Sequence, residues 1–152
     1  MTDLSHLDDQ DRPRMVDVSA KGISYRVARA TGHISLQKAT CALIAENKIK
    51  KGNVLTIAEL AGVQAAKQTS TLIMLCHPLL LSKVHVEAVL TDGGVTATSE
   101  VKCTGQTGVE MEALCAVSVA LLTVYDMCKA VDKTMEMGGI RLLEKTKTPV
   151  EI

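Results

Sequence analysis

The sequence predicts an α+β fold, with one antiparallel sheet covered by helices on one face. Three observations predict it. Residues 23–36 and 83–104 alternate apolar and polar side chains with a period of two, the mark of half-buried strands. Asp92-Gly93-Gly94 interrupts the second stretch and signals a tight hairpin. Residues 54–75 and 109–133 are rich in Ala, Leu, Ile and Val and read as helices.

Taken in order, residues 1–14 hold four Asp and a Pro and are expected to form a flexible arm. A single domain is expected over 15–147, with 148–152 a short tail. In the first strand Ala28, Ala30, Gly32, Ile34 and Leu36 point one way, and Arg29, Thr31, His33 and Ser35 the other. Ser35 could cap a helix running to about Asn47, with Leu36, Ala39 and Leu43 inward. IKKGN ends it, with Gly52 at a C-terminal position. Asn53 can cap the region 54–75, which Gly62 would make one kinked helix or two. Pro78 closes that region.

The strand 83–91 turns Val84, Val86, Ala88 and Leu90 inward, and its hairpin partner, 95–104, turns in Val95, Ala97, Val101 and Cys103. GQTG leads into the strongest helix, expected from about Val109 to Lys133. Met135 to Lys145 reads as the last strand, bent or bulged at Gly138-Gly139. The resulting order, β-α(α)-β-β-α-β, is the ferredoxin-like split arrangement. Its second sheet face would be open, and apolar residues there, such as Val89, would favour an oligomer.

Composition excludes several functions. Seventeen basic and seventeen acidic residues cancel, so no overall field draws in a polyanion. Two Tyr, with no Phe or Trp, cannot build the stacking platforms that read single-stranded RNA. Nucleic-acid binding is therefore not expected. The five cysteines, at 41, 76, 103, 115 and 128, form no C-x-x-C pair and read as reduced, mostly buried thiols in a reducing compartment. The N-terminus has no apolar signal core, and the uncharged stretches 68–82 and 113–125 are short of the roughly 18 residues of a membrane helix. A soluble, cytoplasmic protein without a membrane partner is expected.

Three segments hold candidate chemistry. LCHPLLLSK, 75–83, places His77 in a turn between a helix and a strand. TGQTGVEMEAL, 104–114, places Glu110 and Glu112 in the first turn of a helix. They either complement the helix dipole or serve as acid, base or acceptor for a polar ring. YDMCKAVDK, 125–133, puts Asp126, Lys129 and Lys133 on one helical face, as a surface ion pair or a proton-transfer pair. Arg26, Arg29, Lys51 and Lys67 could hold phosphates if they converge in space.

MVDVSAK (15–21), KKGN (50–53), AGVQAAKQT (61–69), LCHPLLLSKV (75–84), TGVEMEAL (107–114) and YDMCKAVDK (125–133) together resemble the cyclic pyranopterin monophosphate synthase family, also called molybdenum cofactor biosynthesis protein C. The resemblance spans about residues 14–145. Where the family often has KKGD, this chain has Asn53, which keeps a helix cap. The resemblance implies conversion of 3′,8-cyclo-7,8-dihydro-GTP, made by a radical-SAM partner enzyme, into cyclic pyranopterin monophosphate with loss of pyrophosphate. It implies a ferredoxin-like fold assembled as a homohexamer, a trimer of dimers. It also implies roles. Lys129, oriented by Asp126, would be the main acid/base and Lys51 the second; Arg26, Lys51 and Lys67 resemble positions that hold the triphosphate. Leu75, Cys76 and His77 would position the substrate, and Glu110, Met111 and Glu112 would contact its ring. The conversion has no redox step, so no nicotinamide, flavin or cluster is expected. Magnesium could accompany the triphosphate, but no acidic cluster argues for a dedicated metal site. The competing reading is a non-catalytic ferredoxin-like ligand-sensing or assembly module.

Helix geometry adds one expectation. Glu112 and Asp126 lie fourteen residues apart on one predicted helix. They share a face but stand about 21 Å apart along it. Either the helix is broken, or the site is shared between subunits. In the second case the Asp126–Lys129 face of one chain would meet the Lys51 or His77–Glu112 region of another.

Overall fold

Alternation places the first strand as expected. In β1 (Ser24–Ser35), Ala28, Ala30, Gly32 and Ile34 are all buried on the helix-covered face. The computed structural model describes residues 5–151. After β1 come α1 (Lys38–Ala45), α2 (Val54–Lys67) and the single turn α3 (Thr69–Leu72). The hairpin β2 (Leu81–Thr91) and β3 (Gly94–Gly105) follows, then α4 (Glu110–Cys128) and β4 (Glu136–Pro149). Every pairing is antiparallel and the sheet order is β2-β3-β1-β4. This is the ferredoxin-like arrangement the sequence predicts.

Helix α4 crosses β1 and β3, and α2 lies beside it over β2. The two helices approach closely at Gly62, where a Cβ would stand 2.8 Å from the Ala116 carbonyl oxygen and 2.9 Å from Val86. Gly62 is thus a packing glycine inside a continuous α2; the break between α2 and α3 falls at Gln68. Asn53 caps α2 as expected, its Oδ1 accepting from Thr56 N at 3.1 Å. The core is aliphatic: Ile34, Val95, Val101, Val117, Leu121 and Val124 are fully buried.

Other boundaries differ from expectation for physical reasons. Ser35 does not cap α1; it is the last residue of β1, paired with Gly94 and Glu136. The N-cap position is Gln37, whose side chain makes no capping bond. Thr40, Cys41 and Ile44 face inward, whereas Ala39 is exposed. Helix α4 stops at Cys128, so Lys133 is not on it; the amides of Val131 and Asp132 both donate to the Cys128 carbonyl and turn the chain away. Strand β4 continues to Pro149, beyond Lys145, because its backbone pairs with β1 as far as Ser24. The bend at Gly138-Gly139 is present as a register shift, with Gly139 at φ 63°. Of the arm expected at 1–14, residues 1–4 lie outside the described residues. Further on, Leu7 and Pro13 form an isolated bridge around Asp8, whose Oδ1 accepts from the amides of Gln10 and Arg12.

On the open face Val89 and Tyr25 are exposed among ion pairs such as Lys83–Glu100 and Arg29–Glu144. By length and composition α4 could cross a membrane, but 56% of the span is buried, which is the position of a core helix.

Candidate active site

All the predicted site residues except Lys67 gather at or beside the two ends of α4. At its N-terminal end a cavity of about 400 Å³ is lined by Leu75, Cys76 and His77 from the loop before β2. Glu110, Met111 and Glu112 line it from the first turn of α4, and Val16, Val18 and Lys21 from the segment leading into β1. The six residues that the resemblance assigns to positioning the substrate and contacting its ring therefore line one cavity.

Glu112 is only 4% exposed. Burial pushes its carboxyl pKa up, with a further contribution from the neighbouring Glu110 charge. Among the described residues Glu112 has no ion-pair partner, so a donor group in the cavity would find an acceptor waiting. His77 Nε2 donates to the Val16 carbonyl at 2.6 Å, which ties the segment 15–21 across the mouth. Gln106 adds a second tie, its Nε2 donating to the Lys21 carbonyl at 3.2 Å. All five cysteines are free. Burial raises the Cys76 thiol, so it enters the cavity wall as a neutral thiol and a poor nucleophile. Burial likewise pushes Cys128 up to about 11.

Arg26 stands beside this cavity. A groove of about 170 Å³ is lined by Arg26, Lys145 and Lys147 and shares Gly108 and Glu110 with the cavity. Arg26 donates through Nη2 to the Gln106 carbonyl at 3.1 Å, while its buried Nε has no partner. Lys145 Nζ lies 3.7 Å from Glu110 Oε1. Lys145 and Lys147 were not among the sequence candidates. Their signal is the period of two that puts both on the Arg26 side of β4, and it is legible only once β4 is known to reach Pro149. Lys67 lines a different, shallow groove with Lys83, which meets the cavity at Leu79. Arg29 is exposed and paired with Glu144.

At the other end of α4, Asp126 holds two lysines. Its Oδ1 is 2.8 Å from Lys129 Nζ, and its Oδ2 is 2.9 Å from Lys51 Nζ. Lys51 Nζ also donates to the Asp126 carbonyl at 3.1 Å. The hydrogen bonds from Lys129 and Lys51 hold the Asp126 carboxyl at a pKa of about 2. Asp126 in turn raises the Lys129 ammonium. All three side chains are about half exposed. Lys129 sits at the C-cap of α4, and Lys133 Nζ donates to its carbonyl at 2.6 Å.

Lys51 is therefore bonded to Asp126 of its own chain. Because α4 is unbroken from Glu110 to Cys128, Glu112 and Asp126 remain about 21 Å apart within one chain. The structure brings Lys51 to Asp126, not to Arg26 or Lys67. Among the described residues no cluster of His, Cys, Asp and Glu suited to a metal ion occurs.

Comparison with known proteins places the chain in a family. The model of the MoaC family matches residues 15–148. The cyclic pyranopterin monophosphate synthase of Parvibaculum lavamentivorans is 54% identical over 145 residues, covering 94% of this chain and 91% of the relative. The protein of the same name from Desulfitobacterium hafniense is 53% identical over 146 residues, with 95% and 89% covered. That from a Methylobacterium species is 57% identical over 150 residues, with 96% and 92% covered. On a match that takes in both ends of α4 and every strand of the sheet, the chain belongs to the MoaC family.

Proposed function

We propose that this chain is a lyase of molybdenum cofactor biosynthesis, converting 3′,8-cyclo-7,8-dihydro-GTP to cyclic pyranopterin monophosphate and pyrophosphate. Relatives at 53–57% identity carry the name of that activity. The observation that carries the reading to residues is the single cavity formed by Leu75, Cys76, His77, Glu110, Met111 and Glu112. Its buried carboxyl suits the N–H donors on the guanidine-like edge of the ring. Arg26, with Lys145 and Lys147 beside it, suits the triphosphate.

Proton transfer falls to the Lys51–Asp126–Lys129 cluster. Asp126, at a pKa of about 2, is too weak a base to take a proton near neutral pH. It favours the ammonium form of Lys129, so Lys129 enters the reaction as an acid with Lys51 beside it, and the amine left after donation becomes the base for the next step. Opening of the purine five-membered ring consumes such protons. Closure of the cyclic phosphate forms a bond from a sugar oxygen to the α-phosphorus and breaks the α–β bond, releasing pyrophosphate and a hydroxyl proton.

The 21 Å between ring site and lysines, about fourteen rises of 1.5 Å, favours a site shared between two subunits. Met74 and Leu80, 91% and 93% exposed, suit a protein interface in the expected homohexamer. The substrate would come from a radical-SAM enzyme, in the cytoplasm. The conversion needs no redox cofactor, and magnesium could enter with the triphosphate. Incubation with the cyclised nucleotide tests the reading. Release of pyrophosphate with formation of the cyclic phosphate is expected, whereas binding without pyrophosphate release would make the chain a ligand-sensing module.

A further inference from the structure

Asp132 is a buried carboxylate that the chemistry above does not use. It is 1% exposed, and four donors fill both of its oxygens. Oδ2 accepts from the Gln37 amide and the Thr40 hydroxyl, both at 2.9 Å. Oδ1 accepts from the Thr134 amide at 3.0 Å and the Thr134 hydroxyl at 3.1 Å. Burial alone would raise its pKa, but the bonds from Gln37, Thr134 and Thr40 hold it below the usual carboxylate range. Asp132 thus supplies, from 92 residues away in sequence, a partner for the N-terminus of α1 that no local side chain provides.

Its place in the fold gives this clamp a second consequence. Asp132 lies three residues after Lys129, in the turn that ends α4. On its other side it grips α1, whose exit segment passes through the buried Ile49 to Lys51. The ammonium groups of Lys51 and Lys129 are half exposed, so little packing fixes these long side chains directly. Their shared geometry at Asp126 must come from the backbones that carry them.

We propose that Asp132 is a positioning residue: by clamping the turn after α4 to the start of α1, it holds Lys129 and Lys51 together on Asp126. The inference rests on the proposed chemistry only for its effect on turnover; the geometric effect stands by itself.

The test uses full-length Asp132→Asn, which keeps the shape but turns an N–H₂ group toward donors on one side. Thr40→Val removes one of the four bonds and keeps the fold if the first variant does not. Thr69→Val, a buried threonine bonded only within its own helical region, is the control for plain destabilisation. Two readouts are taken. Carbon NMR follows the Asp126 carboxyl titration without any substrate. Loosened lysines move its pKa up from about 2 toward 3.8, whereas loss of a nearby negative charge would by itself move it down. Kinetics on the cyclised nucleotide should show kcat lowered roughly ten-fold or more with KM nearly unchanged, and no such change in Thr69→Val. An unmoved or lowered Asp126 titration in both clamp variants overturns the inference, as does wild-type kcat at a reduced melting temperature. If wild-type protein itself releases no pyrophosphate, the proposed function fails while the NMR arm still decides the role of Asp132.

Discussion

The two ends of α4 treat charge in opposite ways. At the N-terminal end, Glu112 is withdrawn from water and faces Glu110 rather than a cation, so its carboxyl favours the proton. At the C-terminal end, Asp126 stands in water between two ammonium groups and gives its proton up far below the usual range. The first end is suited to recognition, because a buried carboxyl with no cation beside it favours a ring that offers donors. The second is suited to proton traffic, because exposed lysines exchange protons with solvent between turnovers. One continuous helix keeps the two ends apart.

The largest effect should come from breaking the reactive end. Lys129→Ala and Lys51→Ala should each lower kcat by about 10²–10⁴ while circular dichroism and melting temperature stay near wild type, since both side chains are on the surface. Subunit mixing then asks how the ends meet. Lys51→Ala refolded with Lys129→Ala should stay inactive, because both residues serve the same cluster of one chain. Lys129→Ala refolded with Glu112→Ala should regain activity, up to about a quarter of the sites in a random mixture, if cavity and lysines come from neighbouring chains. Failure of the second mixture with hybrids demonstrated would place both ends in one subunit's reaction.

Glu112→Gln sharpens the contrast at the recognition end. Loss of a charge-assisted hydrogen bond should raise KM by roughly 10–100-fold with a smaller change in kcat. The same variant has a signature in stability. An acid whose pKa is raised on folding binds protons better in the folded state, so its contribution is lost as pH rises from 4.5 through the raised value. Glu112→Gln should therefore melt higher than wild type at pH 7, by about 2–4 °C for each kcal/mol gained, and the difference should vanish near pH 4. The smallest effect on function is expected between the two ends, where α2 packs against α4. Gly62→Ala forces a methyl against the Ala116 carbonyl and should cost about 1–3 kcal/mol of stability, read by urea unfolding, with KM unchanged.

What was legible in the sequence follows from the range of the signal. Period-two alternation in β1 and β3 and the Asp92-Gly93 turn are local, and they yield the sheet nearly to the residue. The end of α4 was not legible, because apolar residues continue through Ala130 and Val131 with no Gly or Pro to stop the pattern. The start of α1 misleads for the converse reason: its capping acceptor is Asp132, far along the chain. Most of β4 is exposed and carries little apolar alternation, so its last four residues become a strand only through pairing with β1. At the site, His77, Glu110 and Glu112 stand out in the sequence as polar residues at element ends, whereas Leu75, Cys76 and Met111 enter only through the family resemblance. The bond between Lys51 and Asp126, 75 residues apart, has no local signature at all.

The strand order has a consequence for synthesis on the ribosome. Strand β1 leaves the exit tunnel first, yet it is the interior strand whose two neighbours are β3 and β4. The β2–β3 hairpin can close early, since its turn is local, but β1 keeps an unpaired edge until the last strand emerges. At elongation rates of about 5–20 residues per second, this exposure lasts for seconds. A message truncated within α4 would yield a chain with that edge open and the helix's apolar surface incompletely covered, a form prone to aggregate rather than to act as a weakened enzyme.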